Sequence, residues 1–210
     1  MSRPARQALL AVTVALLAAW VLLPLVLIAL ASFTPRSQLY AWPRPLLPQP
    51  WSAETMRFFF QAQGVLPSTL NSLLVAALTI ALSVAIGAPA GYALSRFRFP
   101  GREAFRLGIL ATKMFPATIL AVPLAVAFIR WGLYDTLWGV AFVHTALALP
   151  FTIIITMSVF LGVPLELEEA AMTLGCSRLQ AFARITLPMA LPGLVAAAIF
   201  TFVLSWNEVF

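Results

Sequence analysis

Five apolar stretches, each near the length that crosses a bilayer, constrain this chain more than any other feature. They run from 9 to 31, 71 to 94, 107 to 128, 137 to 160 and 187 to 206, and Lys113 and His144 are the only basic or acidic side chains inside them. A spanning helix needs about 20 mostly apolar residues, and in lipid the backbone must satisfy its own polar groups, so each stretch is predicted to be a helix. A chain that is 62% hydrophobic and 10% charged, with a mean hydropathy of +0.97, cannot be a soluble domain. The expected class is therefore an all-α polytopic membrane protein of five spans in one domain covering 1–210.

The gaps between the stretches complete the outline. Arg3 and Arg6 precede the first run, which continues well past the length of a signal-peptide core and is expected to stay as a span. From Ser32 to Pro67 the chain is rich in Pro, Trp and Tyr, most densely from Ala41 to Trp51, and is expected to form an extended interfacial loop; near its end Phe58, Phe59 and Phe60 are expected to pack down onto the bundle, with a short amphipathic helix from Met56 to Gln63 lying along the membrane as the alternative. Pro116 and Pro123 in the third run and Pro150 in the fourth mark both as broken helices.

Charge sets the orientation. Eight basic residues (Arg3, Arg6, Arg96, Arg98, Arg102, Arg106, Arg178 and Arg184) fall on one side of the five spans and four (Arg36, Arg44, Arg57 and Arg130) on the other. Positive residues concentrate in cytoplasmic loops, so the N-terminus and the loop 161–186 are expected in the cytoplasm. The formal charge of +6 does not point to nucleic acid, because the basic residues cluster at span ends and form no stripe with interleaved aromatics. Cys176 is the sole cysteine, which excludes an internal disulfide, and no metal-ligand spacing surrounds it.

The loop 161–186 is the one polar segment with helical design. Pro164 suits a first helical turn, and Glu166, Glu168 and Glu169 follow where the helix dipole favours anions. Leu167, Ala170, Ala171 and Leu174 recur on one side, and Gly175 can supply the left-handed residue that ends such a helix. Ser177 and Gln180 have the spacing of a capping box, opening a second helix with Leu179, Phe182 and Ile185 on one face. The prediction is a helix-turn-helix outside the bilayer.

The spacing Glu169-Ala170-Ala171, three residues, Gly175, nine residues, Ile185, one residue, Leu187-Pro188 resembles the EAA loop of permease subunits of ABC importers. Three further stretches resemble the maltose-type, carbohydrate-uptake branch: Asn71-Ser-Leu-Leu-Val with Gly91 to Arg102, Met114-Phe-Pro116, and Pro192-Gly193 leading to Trp206-Asn207-Glu208. Leu174 departs from the Asp often found before the glycine in that branch. The resemblance implies an inner-membrane, multi-pass permease that passes a sugar, sugar alcohol or glycerol-phosphate-type solute by alternating access. It implies as partners a second permease subunit in a heterodimer, two cytoplasmic ATPase subunits docked on the loop, and an extracytoplasmic solute-binding protein, within membrane lipid. ATP and magnesium would be held by the ATPase partners and no cofactor by this chain, which has no phosphate-binding Gly-x4-Gly-Lys-Ser/Thr loop. Family members carry one more span, so the last C-terminal span is expected to be missing here.

Single residues carry weaker signals. Lys113 falls roughly 10 Å past Arg106 at 1.5 Å per residue. An ionisable group at that depth marks a water-filled path, unless it snorkels to the headgroups or pairs internally. His144 is a second candidate for the translocation path, with an interhelical hydrogen bond as its plainer role. Asn71 and Asn207 are further candidates, with capping as the alternative. Other functions fit less well. A membrane-embedded enzyme lacks a cluster of catalytic groups at matched depth. An ion-coupled secondary transporter would favour carboxylates within the spans, yet every Asp and Glu lies at a span end or in a loop. An ABC importer permease for a non-carbohydrate solute is the nearer alternative.

Overall fold

The computed structural model describes residues 3–43 and 47–208. Arg44, one of the four opposite-side arginines, lies outside the described residues. The described residues form helices joined by loops, with no strand among them, and divide within one long helix into two compact units, Met1–Ser68 and Thr69–Phe210.

The first unit contains α1 (Arg3–Ser32), the short turn α2 (Arg36–Leu39) and α3 (Glu54–Gln61). Helix α1 runs through Pro24 and is exposed along nearly its whole length, as an apolar helix whose solvent is lipid would be. Its C-terminal end organises the loop. Ser52 N donates to Phe33 O at 2.9 Å, Thr55 Oγ1 donates to Thr34 O at 2.9 Å, and Trp51 packs on Phe33. The expectation that Phe58, Phe59 and Phe60 pack down is not met: all three are half exposed on α3, and Phe58 instead carries the Arg36 guanidinium 3.8 Å above its ring. That cation–π contact replaces burial as the local tie.

Helix α4 (Val65–Arg96) starts before the apolar run does, because Pro67 lies in its first turn, where a missing N–H costs no helical bond. From Thr69 onward it belongs to the second unit, together with α5 (Arg102–Ala111), α6 (Ala117–Trp131), α7 (Leu137–Leu161), α8 (Leu165–Thr173), α9 (Arg178–Ala181) and α10 (Leu187–Asn207). Among the described residues, four helices are long and apolar enough to span, and a fifth span is available if the bent pair α5–α6 counts as one.

Proline acts differently at the three positions expected to break the third and fourth runs. After the 3-10 turn Thr112–Met114, Phe115 is extended and Pro116 precedes α6, and the two helices meet at 93°. The residue before a proline avoids the helical region, so the break falls where it must. Pro123 and Pro150 were expected to break the third and fourth runs, but α6 and α7 pass through them uninterrupted. Each proline removes one backbone hydrogen bond, and α7 is packed there between α4 and α10.

That packing relies on small and hydroxylated residues, the usual means of bringing helices together where lipid removes the hydrophobic drive. Thr156 Oγ1 donates to Gly87 O at 2.9 Å, joining α7 to α4, and Thr152 and Thr201 hydroxyls meet at 3.1 Å, joining α7 to α10. Gly87, Gly91 and Gly193 sit where a Cβ would strike α7 at under 3.0 Å. Near the α8 end of this bundle, Ala88, Tyr92, Phe160, Val163, Ala190 and Leu194 form the main apolar core.

Candidate functional site

Local sequence builds the hairpin. Helix α8 follows Pro164 and ends in a Schellman turn: Gly175 has φ +93°, Gly175 N donates to Met172 O at 3.0 Å, and Cys176 N donates to Ala171 O at 3.1 Å. Ser177 then caps α9 through the expected box, with Gln180 N donating to Ser177 Oγ at 3.3 Å and Ser177 N to Gln180 Oε1 at 2.8 Å. The second helix does not stop at the loop. A π-helical turn, Phe182–Thr186, carries α9 directly into α10, with Leu187 N reaching back to Phe182 O. Pro188, on the first turn of α10, has no N–H to offer Arg184, and the wider turn falls immediately before it.

The hairpin buries a different face from the one its apolar pattern suggests. Leu167 is exposed, and Leu174 and Leu179 are 87% and 75% exposed. Glu168, by contrast, is 2% exposed, and Ala171 and Ala181 are buried beside it. The reason is a set of donors on α4. Tyr92 Oη donates to Glu168 Oε2 at 2.8 Å, and Arg96 Nε donates to Glu168 Oε1 at 2.7 Å in an ion pair whose arginine side chain is 6% exposed. Arg96 Nη2 also donates to Val163 O at 2.7 Å, just past the end of α7. The Tyr92 ring packs at 4.4 Å on Phe182 and at 5.6 Å on Phe160, and Arg178 lies over the Phe97 ring.

Burial pushes the Glu168 carboxyl up, but hydrogen bonds from Tyr92 and Arg96, the nearby Thr186 hydroxyl and the Arg96 charge together hold it below the usual glutamate value. A carboxyl depressed in the folded state adds stability that is fully present above its unfolded value and is lost as pH falls through the folded value. Thermal unfolding of the solubilised protein should therefore shift to lower temperature as pH falls through the carboxylate range. Glu168→Gln, which cannot ionise, should be less stable at neutral pH and show a flatter pH dependence. Equal slopes for the two proteins would mean that another carboxyl controls the transition.

The candidate loop residues divide by exposure. Glu169 and Ala170 are exposed, Ala171 is buried, Gly175 forms the turn, Ile185 is half buried in the π turn, and Leu187 and Pro188 open α10. The candidate path residues divide by location. Lys113 and His144 both line an open cavity of about 680 Å3 between the 3-10 turn Thr112–Met114, α6, α7 and the end of α10, with Ser205, Glu208, Phe115 and Phe142 also on its wall. Lys113 Nζ donates to Leu147 O and stands 4.8 Å over the Phe151 ring, which is the internal pairing considered for it. His144 Nδ1 meets Ser205 Oγ at 2.9 Å, the expected interhelical bond, while Nε2 is buried with no partner among the described residues. Asn71 is exposed within α4, and Asn207 Nδ2 returns to Val203 O on its own helix; neither lines the cavity. Among the described residues no group of His, Cys, Asp or Glu is placed to hold a metal ion.

Nothing in the sequence alone singles out Glu168, Arg96, Tyr92 or Ser205 as functional. The Tyr92/Arg96 spacing of four, at the end of a span, is the available signal that two donors share one helix face.

Residues 83–210 match the family described as binding-protein-dependent transport system inner membrane component. The chain belongs to that family. It is 34% identical over 201 residues to the diacetylchitobiose uptake system permease protein NgcG of Streptomyces coelicolor, covering 94% of this chain and 66% of that protein. It is 34% identical over 163 residues to the trehalose transport system permease protein SugB of Mycobacterium tuberculosis, covering 78% of this chain and 60% of that protein. The chain thus spans less than two thirds of the length of either relative. All of this chain superposes on 74% of a chain from the crystal structure of a bacterial ABC transporter involved in the import of the acidic polysaccharide alginate, with a TM-score of 0.79 and 24% identity, which shows a shared fold. Family members are components of transport systems, so the polytopic helices and the polar hairpin belong to a membrane transport component of the inner membrane.

Proposed function

We propose that this chain is one permease subunit of a binding-protein-dependent ABC importer, that its hairpin 161–186 docks a cytoplasmic ATPase, and that its cavity is part of the solute path. The observation that carries the proposal is the inverted hairpin. Leu174 and Leu179 are left open to solvent on a polar loop beside exposed Glu169, while a charge is buried in their place. Apolar side chains presented this way form a surface that a partner covers. The sugar-transport names of the relatives support a sugar, sugar alcohol or glycerol-phosphate-type solute, delivered by an extracytoplasmic binding protein. Aromatic and polar groups together on the wall holding Lys113 and His144 suit such a solute. In this arrangement the N-terminus and hairpin are cytoplasmic, a second permease subunit completes the pore, and ATP and magnesium bind the ATPase partners.

Glu169→Lys tests the docking. It reverses an exposed charge on the same hairpin as Leu174 and Leu179. Co-purification of the ATPase with the full-length permease should fall at least tenfold, about 1.4 kcal/mol, with membrane insertion unchanged. Wild-type recovery of the ATPase would remove Glu169 from the interface, and no recovery with the wild-type permease would remove the ATPase-docking proposal itself.

A further inference from the structure

We propose that the Arg96–Glu168–Tyr92 hub is a rigid clamp that makes the hairpin and the adjoining ends of α4 and α7 move as one body, so that Glu168 and Arg96 are positioning residues for coupling. This rests on the assignment of the hairpin as the ATPase-docking element.

Consecutive glutamates on α8 point in opposite senses. Glu169 is exposed and open to a partner, whereas Glu168 turns inward and is 2% exposed. Both of its oxygens are engaged by α4, at 2.8 Å from Tyr92 and 2.7 Å from Arg96. The same guanidinium reaches Val163 O, so one side chain ties three segments together. Apolar contacts alone would let a short helix slide across its support, because dispersion has little directionality. A buried carboxylate with two fixed donors cannot slide, since any displacement leaves a charge desolvated and unpaired. The aromatic cluster of Tyr92, Phe160 and Phe182 fills the space around the pair, and Phe182 belongs to the turn leading into α10. A displacement of α8 by its partner is therefore delivered to α4 and α7 without loss. Besides this hub, Arg178 of the hairpin lies 5.3 Å over the Phe97 ring, a contact that lacks the two fixed donors of the Glu168 pair, and Ala181 and Ala171 are buried small residues.

The test needs no knowledge of the solute. Cys176 is the sole cysteine in these 210 residues, and with any cysteine elsewhere in the assembly replaced by serine, Ile86→Cys adds a second spin-label site on the exposed face of α4. The full-length permease, assembled with its partner permease and ATPase, is measured by pulsed dipolar spectroscopy without nucleotide and after trapping with ATP and vanadate. With the clamp intact, the separation of the two labels should change by less than about 2 Å between the states. The double variant Arg96→Met/Glu168→Leu removes both charges, an exchange that buried ion pairs often tolerate in stability. Its separation should shift or broaden on trapping by about 5 Å or more, one helical turn. If the double variant does not assemble, the isosteric Glu168→Gln takes its place with the same expected direction. A shift of that size in the wild-type clamp, or no shift in an assembled clamp variant, overturns the proposal. Loss of the ATPase from the wild-type permease would instead overturn the docking assignment, a separate failure visible before any label is added.

Discussion

Gly91→Ala, one added methyl group, should dismantle the membrane bundle. A Cβ at this position would collide with Thr156 Oγ1 and lie 2.7 Å from Met157 N and 3.0 Å from Ile153 O. Two of those atoms are backbone, so no rotamer change relieves the contact. Helices α4 and α7 would have to separate, which would also break the Thr156–Gly87 hydrogen bond and pull Tyr92 and Arg96 from Glu168. Overpacking usually costs about 1–3 kcal/mol, and a contact made largely with backbone belongs at or beyond the top of that range. Gly108→Ala is the matched control. Gly108 lies within α5, where an added methyl group would meet nothing within 4 Å, so the change should be neutral or stabilising by up to about 1 kcal/mol from helix propensity. Thermal unfolding of the two purified variants against wild type gives the measurement. Similar stability for both would show that α4 and α7 have slack at this crossing.

The signals that are local in the chain translate directly into structure. Hydropathy marks the spans because lipid imposes a helix on any long apolar segment. Gly175 and the Ser177/Gln180 pair act within a few residues of themselves, and the turn and cap follow. Burial on the hairpin is not legible in the same way. The apolar pattern of α8 groups Leu167 and Leu174 on one side without saying whether the bundle or a partner covers it, and burial is decided by Tyr92 and Arg96, more than seventy residues earlier. No periodicity within α8 reports a partner on α4. The prolines show a similar limit: Pro116, Pro123 and Pro150 look alike in sequence, yet only Pro116 of the three lies at a break, while α6 and α7 run on through Pro123 and Pro150. At the cavity, the depth of Lys113 and His144 is legible, and their convergence on one wall requires the 93° bend between α5 and α6.

Gly175→Val should abolish ATPase docking while leaving the span bundle intact. At φ +93° the backbone is in a region that suits glycine, and an added Cβ would meet no atom within 4 Å. The cost is therefore conformational, about 1–3 kcal/mol for a β-branched residue, and is relieved by giving up the turn. That surrenders the hydrogen bonds of Gly175 N to Met172 O and Cys176 N to Ala171 O and changes the direction in which α9 leaves. Glu168 stays clamped to α4, so α8 keeps its place while Leu179 moves away from Leu174, and the two halves of the exposed surface no longer match one partner. Recovery of the ATPase with the full-length permease should fall at least tenfold. Gly175→Asn separates conformation from size, because asparagine tolerates positive φ better than other side chains, though its preferred value lies nearer about +57°. The expected order of recovery is wild type, then Asn, then Val, with all three inserted equally. Equal loss in Asn and Val would mean that the surface at Gly175 must be bare for the partner to approach, and the turn geometry would then be secondary to contact.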